Sequence, residues 1–551
     1  WFCYNLLLVS MIGVVVATNS ILFLISWETM ALSSFFLVMF ESDKPEARDA
    51  AWMYLSATHL GTAFLLVMFI LMASHTGSFD FGAAGCLSGL PGAVAGLIFI
   101  FALIGFGTKA GLVPGHVWLP DAHPAAPSHV SALMSGAMIK TGIYGLIRIL
   151  TFFDSPPLWW AWMLLAVGVA SGLLGILYAC AQLDIKRMLA YSSVENVGIV
   201  FLGLGIGMVG RSLNIPALAV LGFAGALLHV INHSLFKGLL FMGAGSVLHS
   251  TGTKAIDRLG GLLKRMKWTG STFLLGSAAI SGLPPFNGFV GEFLIFLGAF
   301  TSVAAHRSDA SVLPALLVIG ALGLIGGLAL LGFTRVFGIA FLGEPRSHVA
   351  EHAHESGGLM VVPMVLLAAA CLFIGLFPFL VLPLLQSAVG IASRASLAAT
   401  AGTLGGATTI LTYSAIAGGA FLAIALLVAI ERMLWLRGKP IGRTGTWDCG
   451  YAAPNAHMQY TAASYAQPLT SFFARIIDLR PAVPVIKELF PGGANLLVTV
   501  GDIFRRHIFD PLFRSVESAA HHMRVLQQGR VQVYVLYVAL TLLVLLALKM
   551  G

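Results

Sequence analysis

The most constraining feature of this sequence is a set of ionisable side chains inside long apolar stretches. The set consists of Lys109, Lys140, Lys237 and Glu292. A charge at the centre of a bilayer costs about 2.5 to 3.5 kcal/mol on the insertion scale, so such residues must face a protein or water-filled interior. Their repetition along one chain indicates a path for protons or small cations.

The composition indicates the class of protein. Of the 551 residues, 58% are hydrophobic and 10% are charged, which is typical of a polytopic helical membrane protein. The apolar runs predict membrane segments at 2–17, 20–40, 51–73, 95–119, 129–150, 158–182, 193–208, 216–248, 270–303, 313–342, 361–383, 410–430 and 531–549.

Basic residues are distributed unevenly between the two sides of these segments. One side receives Lys44, the predicted turn at 183–187 that contains Lys186, the cluster at 254–267 and the stretch 431–530. The positive-inside rule makes this side cytoplasmic. The formal net charge of +8 therefore needs no nucleic-acid partner to explain it.

The sequence gives no indication of a metal or cofactor on this chain. The cysteines are far apart and form no ligand spacing; they are Cys3, Cys86, Cys180, Cys371 and Cys449. The pair His229 and His233 has neither the adjacent glutamate nor the third ligand of a zinc site. We therefore expect no metal and no cofactor here.

Two of the predicted segments are interrupted by proline and glycine. GTKAGLVPG at 107–115 surrounds Lys109, and GLPPFNG at 282–288 precedes Glu292. Proline removes a backbone donor and clashes with the preceding turn, while glycine lets the chain bend. Both segments therefore predict broken helices, which are tolerated at membrane depth only where freed backbone groups meet protein or water.

The positions of the two breaks predict an internal repeat. They fall in the fourth and ninth predicted segments, five apart, and paired interruptions in two halves indicate inverted copies. We predict copies at 2–150 and 158–342, with Lys109 and Glu292 at corresponding places. The predicted fold is an all-α polytopic membrane protein with two inverted five-helix repeats and further C-terminal helices.

His229, His233 and Lys237 are four residues apart in turn, which places them nearly on one helix face. Histidine has an ordinary pKa near 6.5 and passes protons at working pH. Hydrogen bonding within a packed core is the alternative role for the two histidines.

Long strings carry a resemblance to a known family. They are SWETMALSSFFLVMFE, GTKAGLVPGHVWLPDAHPAAPSHVSALMSGAMIKTGIYG, LDIKRMLAYSSVENVG, HVINHSLFKGLLFMGAGSV and GLPPFNGFVGEF. The sequence resembles, over roughly 1–345, the antiporter-type membrane subunits of respiratory complex I, Mrp antiporters and membrane-bound nickel–iron hydrogenases. TWDCGYAAPNAHMQYTAASYAQPL at 446–469 is similar to the hydrogenase 4 and formate hydrogenlyase members. Those members carry further N-terminal helices, which we expect this chain, beginning at Trp1 inside an apolar run, to lack.

The resemblance implies a line of ion-translocating residues. They are Glu28, Lys109, Lys140, His229, His233, Lys237 and Glu292. Glu28 would pair with Lys109, either for transport or only to fix packing. Where some members have histidine before Lys140, this chain has Ser135, so the relay point there is water, serine or nothing.

Four further residues are possible accessories. His116, Asp121 and His123 in HVWLPDAH either order the loop of the broken helix or carry protons. Glu195 in SSVENVG belongs either to the proton path or to a helix start.

The C-terminal part differs in composition. We divide the chain into a core at 1–345, additional spans at 346–430, a cytoplasmic-side loop with an amphipathic lateral helix at 431–530 and a last span at 531–551. Amphipathic pieces are predicted at 468–490 and 498–527, the second lying along the membrane surface or neighbouring subunits. Its shielded positions would be Ile503, Ile508, Phe509, Leu512, Phe513 and Val516, and its exposed ones Arg505, Arg506 and Arg514.

Three functions fit these patterns. The first is an ion-translocating subunit of a membrane-bound hydrogenase or formate hydrogenlyase. The second is a subunit of a quinone-reducing complex or a cation/proton antiporter, and the third is a membrane anchor that moves no ions. The resemblance places iron–sulfur clusters and a nickel–iron centre in partner subunits, namely other membrane subunits and a peripheral arm. It implies the cytoplasmic membrane as the location.

Overall fold

The computed structural model of the chain is predominantly helical. It describes residues 1–305, 309–440, 442, 450–451, 453, 455–456, 458–482, 497–524 and 531–550. The first helices are α1 (Phe2–Val16), α2 (Ser20–Val38), α3 (Pro45–Thr76), α4 (Gly92–Ala110), α5 (Leu119–Ala125), α6 (Ser128–Leu133) and α7 (Ile139–Leu150). A π-helical turn, Met134–Met138, joins α6 to α7.

The middle of the chain forms a second group of helices. They are α8 (Leu158–Ala181), α9 (Ile185–Ser212), α10 (Pro216–Thr251), α11 (Lys267–Ile280), α12 (Asn287–Ala304) and α13 (Asp309–Phe341). The predicted segment 270–303 is therefore two helices, because Ser281–Phe286 interrupts it. The first predicted break likewise separates α4 from α5, which confirms both broken helices.

The remaining elements follow in the C-terminal part. They are α14 (His348–Glu351), α15 (Gly358–Leu376), α16 (Pro378–Val381), α17 (Gln386–Ser393), α18 (Leu397–Leu436), α19 (Ala462–Phe472), β1 (Leu479–Ala482), β2 (Leu497–Val500), α20 (Asp510–Met523) and α21 (Val531–Met550). Strands β1 and β2 pair antiparallel, with Leu479 opposite Val500. The start of the motif at 446–469 lies outside the described residues.

Within the part of the chain that the structure describes, 12 helices are long and apolar enough to cross a membrane. The predicted segment 2–17 is helical but shorter, with 15 residues in α1. Helices α9 and α18 begin well before the predicted starts. The reason is capping: Asp184 accepts backbone N–H groups at the start of α9, and Ser396 does so at the start of α18.

Helix α9 lies at the centre of the fold. Its residues from Met188 to Gly210 are all buried. It packs so closely on α8 that a Cβ at Gly198 would come within 2.3 Å of the backbone nitrogen of Gly172. Because α9 also packs on α5 and α10, its side chains contact residues from both halves of the chain.

The C-terminal region corrects one expectation. Residues 498–527 do not begin as a helix, because Val498–Val500 belong to β2 and a π-helical turn at Arg505–Phe509 precedes α20. Phe509 is buried, but Ile508, Leu512 and Val516 are 47%, 42% and 58% exposed. No other element of the described chain covers these three side chains, so their shielding by the membrane surface or by neighbouring subunits stays a prediction.

Candidate ion-translocation path

Lys109 lies at the last turn of α4, just before the break. Gly111, with a φ of +85°, ends the helix in the left-handed region that glycine adopts readily. The lysine is 1% exposed, and its Nζ donates a hydrogen bond of 2.7 Å to the hydroxyl of Tyr54. The rings of Trp27 and Tyr54 also face the ammonium, at 5.9 and 5.0 Å. The surroundings of this charge are therefore mostly aromatic.

Glu28 and Lys109, the expected partners, are each bonded elsewhere. Glu28 Oε2 lies 3.3 Å from Nε2 of His59, whereas Lys109 bonds to Tyr54 on the same helix as that histidine. The side chain of Glu28 is 30% exposed. Helix α3 therefore supplies a bonding partner to each predicted member of the pair.

Lys140 is linked to α9 through serine. Its Nζ donates to the carbonyl oxygen of Ser135 in the π-helical turn, and the hydroxyl of Ser135 lies 2.8 Å from that of Ser193 on α9. Ser135, the predicted relay point before Lys140, therefore contacts a second hydroxyl. Lys140 also lines a cavity of about 1070 Å³ between α1, α7, α10 and α17.

Lys237 contacts the same helix from the other side. Its Nζ donates to the carbonyl oxygen of Leu189, at 2.8 Å, and to the hydroxyl of Ser192. The side chain is fully buried. Ser192 and Ser193 are adjacent on α9. One turn of this helix therefore contacts Lys237 directly and contacts Ser135, the residue to which Lys140 donates.

His229 and His233 lie on α10 close to this turn. Nε2 of His229 is 3.0 Å from Oδ1 of Asn196, whose Nδ2 donates to Oε2 of Glu195 at 2.5 Å. Among the described residues, neither ring nitrogen of His233 has a hydrogen-bond partner. Glu195 is fully buried in the middle of α9, so the interpretation as a helix start is wrong.

Glu292 follows the second break, in the second turn of α12, and is buried. Its carboxylate lies against Gly282, where a Cβ would come within 2.8 Å of Oε2. The preceding glycine, Gly291, packs against the backbone and Cβ of His229. The second break therefore brings Glu292 to the helix that carries the histidines and Lys237.

The accessory candidates have separate surroundings. His116 Nε2 lies 3.1 Å from Oδ2 of Asp502, and Asp121 forms ion pairs with Arg187 and Arg505. Arg505, which was expected to reach headgroups or solvent, is 35% exposed and also pairs with Asp121. His123 is fully buried against the ring of Phe241, and neither of its ring nitrogens has a partner among the described residues.

Lys186 was predicted to lie in a cytoplasmic turn but is fully buried. Asp184 caps α9, so the lysine belongs to the first turn of the helix and points inward. Its Nζ donates a hydrogen bond of 2.5 Å to the carbonyl oxygen of Ala126, which is three residues after His123. The chain therefore has a further buried ammonium beside the first broken helix.

Asp502 was not singled out in the sequence, although it is one of the few buried carboxylates. Burial would raise the pKa of Asp502, but His116 and the backbone N–H groups of Arg505 and Phe504 stabilise the carboxylate and hold its pKa below the ordinary value of 3.8. Tyr191 donates a further hydrogen bond of 3.2 Å.

Sequence reasoning also missed Tyr54, Ser192, Ser193 and Asn196. A signal for the α9 residues exists, because Lys186, Ser193 and Asn196 recur at helical spacing. In the described part of the chain, no three His, Cys, Asp or Glu side chains are grouped so as to hold a metal ion.

The fold and these buried side chains define a multi-pass membrane protein whose ionisable residues face its interior. Residues 17–317 match the family described as NADH:quinone oxidoreductase/Mrp antiporter, TM, and the chain belongs to that family. The predicted all-α polytopic fold class and the family are therefore confirmed.

Relatives are similar over most of the chain. Hydrogenase-4 component B of Escherichia coli (strain K12) is 39% identical over 571 residues, covering 99% of this chain and 82% of that protein. Formate hydrogenlyase subunit 3 of the same organism is 34% identical, covering 89% and 77%. The structure of the membrane-bound sulfane sulfur reductase, an archaeal respiratory membrane complex, has a similar fold, with a TM-score of 0.75 at 23% identity, covering 98% of this chain and 83% of that one.

Proposed function

We propose that this chain is the proton-translocating membrane subunit of a hydrogenase or formate hydrogenlyase-type complex. The observation that carries the proposal is a line of polar residues along α9. Ser192 and Asn196 contact the ionisable Lys237 and His229 of the second half, and Ser193 contacts the hydroxyl of Ser135 in the first half. The relationship to hydrogenase-4 component B and formate hydrogenlyase subunit 3 supports this choice of complex.

The proposed path consists of the titrating residues predicted from the sequence and the polar groups that link them. The titrating residues are Glu28, Lys109, Lys140, His229, His233, Lys237 and Glu292. A hydroxyl has one donor hydrogen and two acceptor lone pairs, so it receives a proton on one side and releases one on the other. In the Ser135–Ser193 pair either hydroxyl oxygen can donate. This pair connects the central helix to the residue whose carbonyl oxygen accepts from Lys140.

His233 is suited to accept a proton from a neighbouring site. It lies between His229 and Lys237 on α10 and is buried without a hydrogen-bond partner in the described chain. A buried polar group without a partner is costly. A bridging water would supply the ring nitrogens with hydrogen-bond partners, so we assign His233 the role of a relay between the Lys237 and His229 positions.

We further propose that the two halves are inverted repeats at 2–150 and 158–342. Each half contains one broken helix, and each break is followed or preceded within a few residues by a buried ionisable group, Lys109 or Glu292. The side with most basic residues, including 431–530, is proposed to be cytoplasmic. Iron–sulfur and nickel–iron centres are assigned to partner subunits of a peripheral arm.

Lysine replacement tests the proposed path. The whole complex, purified with Lys109→Met or Lys237→Met and placed in liposomes, should keep its redox turnover while the ions moved per turnover fall at least about tenfold, since methionine keeps the packing volume but holds no proton. Lys264→Met is the matched control, because Lys264 is exposed and paired with Glu344 at 2.6 Å.

Wild-type transport by an assembled Lys237→Met complex would rule out the proposed path. Nickel and iron content of the co-purified subunits tests the assignment of the complex. A preparation with quinone-reducing or antiporter subunits and no nickel would favour the other functions of the family.

A further inference from the structure

The segment between β2 and α20 reaches into the connection between α4 and α5. Asp502 in this segment is buried, and both of its carboxylate oxygens are bonded. Oδ1 accepts the backbone N–H groups of Phe504 and Arg505 at 2.9 and 3.1 Å. Oδ2 accepts the hydroxyl of Tyr191 and lies 3.1 Å from His116.

His116 joins this carboxylate to the broken helix. Its Nδ1 lies 3.3 Å from the carbonyl oxygen of Pro114, within the break, and its Nε2 faces Asp502. Both ring nitrogens therefore face oxygen atoms, one in the break and one on the C-terminal segment. The ring of Phe504 packs edge-on at 5.6 Å and closes the site.

Neighbouring contacts attach the same segment to the same region. Arg505 pairs with Asp121 at the start of α5, and Asp121 also pairs with Arg187 on α9. The backbone N–H of Ile503 donates to the hydroxyl of Tyr178 at 3.2 Å. The charged or titratable groups around Asp502 are thus His116, Tyr191, Tyr178, Arg187, Asp121 and Arg505.

We propose that Asp502 is a positioning residue of the ion path, acting through His116 on the connection that follows Lys109. This inference rests on the proposed function and extends it to the C-terminal segment. The π-helical turn and helix α20 continue from this anchor and expose Ile508, Leu512 and Val516.

The test uses the complete complex in liposomes. The variants are Asp502→Asn, His116→Gln and the combination, and Asp510→Asn is the matched control. Asp510 belongs to the same segment, is 42% exposed and lies 3.6 Å from Arg505. Four quantities are measured: the amount of assembled complex, redox turnover, ions moved per turnover and the pH profile of that ratio.

Asp502→Asn and His116→Gln should assemble, turn over normally and move about tenfold fewer ions per turnover, which is the size expected from losing one charge-assisted hydrogen bond. Both should shift the pH profile in the same direction. The combined variant should be no worse than either single one, because the two residues act through one contact. The control should match the wild type.

Three results would overturn the inference. One is normal transport and an unchanged pH profile in the assembled fraction, which would leave Asp502 as a brace only. Another is a combined variant in which the transport losses of the two single variants add. The third result applies if Asp502→Asn does not accumulate. Asp502→Glu is then measured instead, and because its carboxylate is displaced, an unshifted pH profile would overturn the inference.

Lys109→Met, measured alongside, separates this inference from the proposed function. If Lys109→Met loses transport while Asp502→Asn keeps it, only the role of Asp502 is wrong. If Lys109→Met itself transports normally, the proposed path fails whatever Asp502 does.

Discussion

Removing the hydroxyl of Tyr54 should impair ion movement without disturbing the fold. In Tyr54→Phe, Lys109 loses the 2.7 Å hydrogen bond that its ammonium donates. The ring itself stays, and so does its edge contact with Trp118 at 5.0 Å. Ser34, a second partner of the hydroxyl, still donates to the carbonyl oxygen of Met30 at 2.6 Å, and the third partner, Sδ of Met138 at 3.8 Å, is only a weak acceptor. The energetic effect is therefore concentrated on Lys109.

The magnitude follows from the type of bond. A hydrogen bond to a charged group contributes about 1.5 to 3 kcal/mol, and about 1.4 kcal/mol corresponds to a factor of ten. Any step that returns the charged lysine to this position should become about 10- to 150-fold less favourable. We expect ions moved per redox turnover to fall by at least about tenfold.

The assay is ion uptake by liposomes containing the purified complex, divided by redox turnover in the same sample. Tyr144→Phe is the control. Tyr144 lies on α7, and its hydroxyl donates a hydrogen bond of 2.8 Å to the carbonyl oxygen of Val15 on α1. The reasoning is refuted if assembled Tyr54→Phe moves ions at a rate within about a factor of two of wild type. It is also refuted if both variants are equally impaired.

Ser193→Ala should lower the number of ions moved per turnover several-fold, because it removes one hydroxyl of the link to Lys140. Ser234→Ala should not, because within the described chain this hydroxyl bonds to its own helix. Liposome uptake measures both variants. Gly198→Ala should destabilise the purified chain by about 1 to 3 kcal/mol through overpacking, since the new Cβ would lie 2.3 Å from a backbone atom. Gly323→Ala is the control, because a Cβ there meets open space. Thermal unfolding compares the two variants. Because the pKa of Asp502 is held below 3.8, its stabilisation is complete above the ordinary pKa and is lost as pH falls through the lowered one; amide exchange of its segment should accelerate only in acid.

Much of the fold was predictable because the responsible forces are local. The cost of a charge in hydrocarbon requires Lys109, Lys237 and Glu292 to point inward, and they are buried. Proline and glycine act on their own turn of helix, so both breaks occur where the sequence predicts them. Helix starts were less predictable where a cap such as Asp184 lies outside the apolar run.

The partners of the buried charges were decided only by tertiary structure. Lys109 bonds to Tyr54 rather than to Glu28, and Asp502 meets His116 from the far end of the chain. A hydrogen bond requires two atoms to lie within about 3 Å in a suitable direction. That condition depends on how distant helices pack, and no local pattern specifies it. The sequence by itself determined which side chains must be buried, and the packing of α9 against helices of both halves determined what many of them touch.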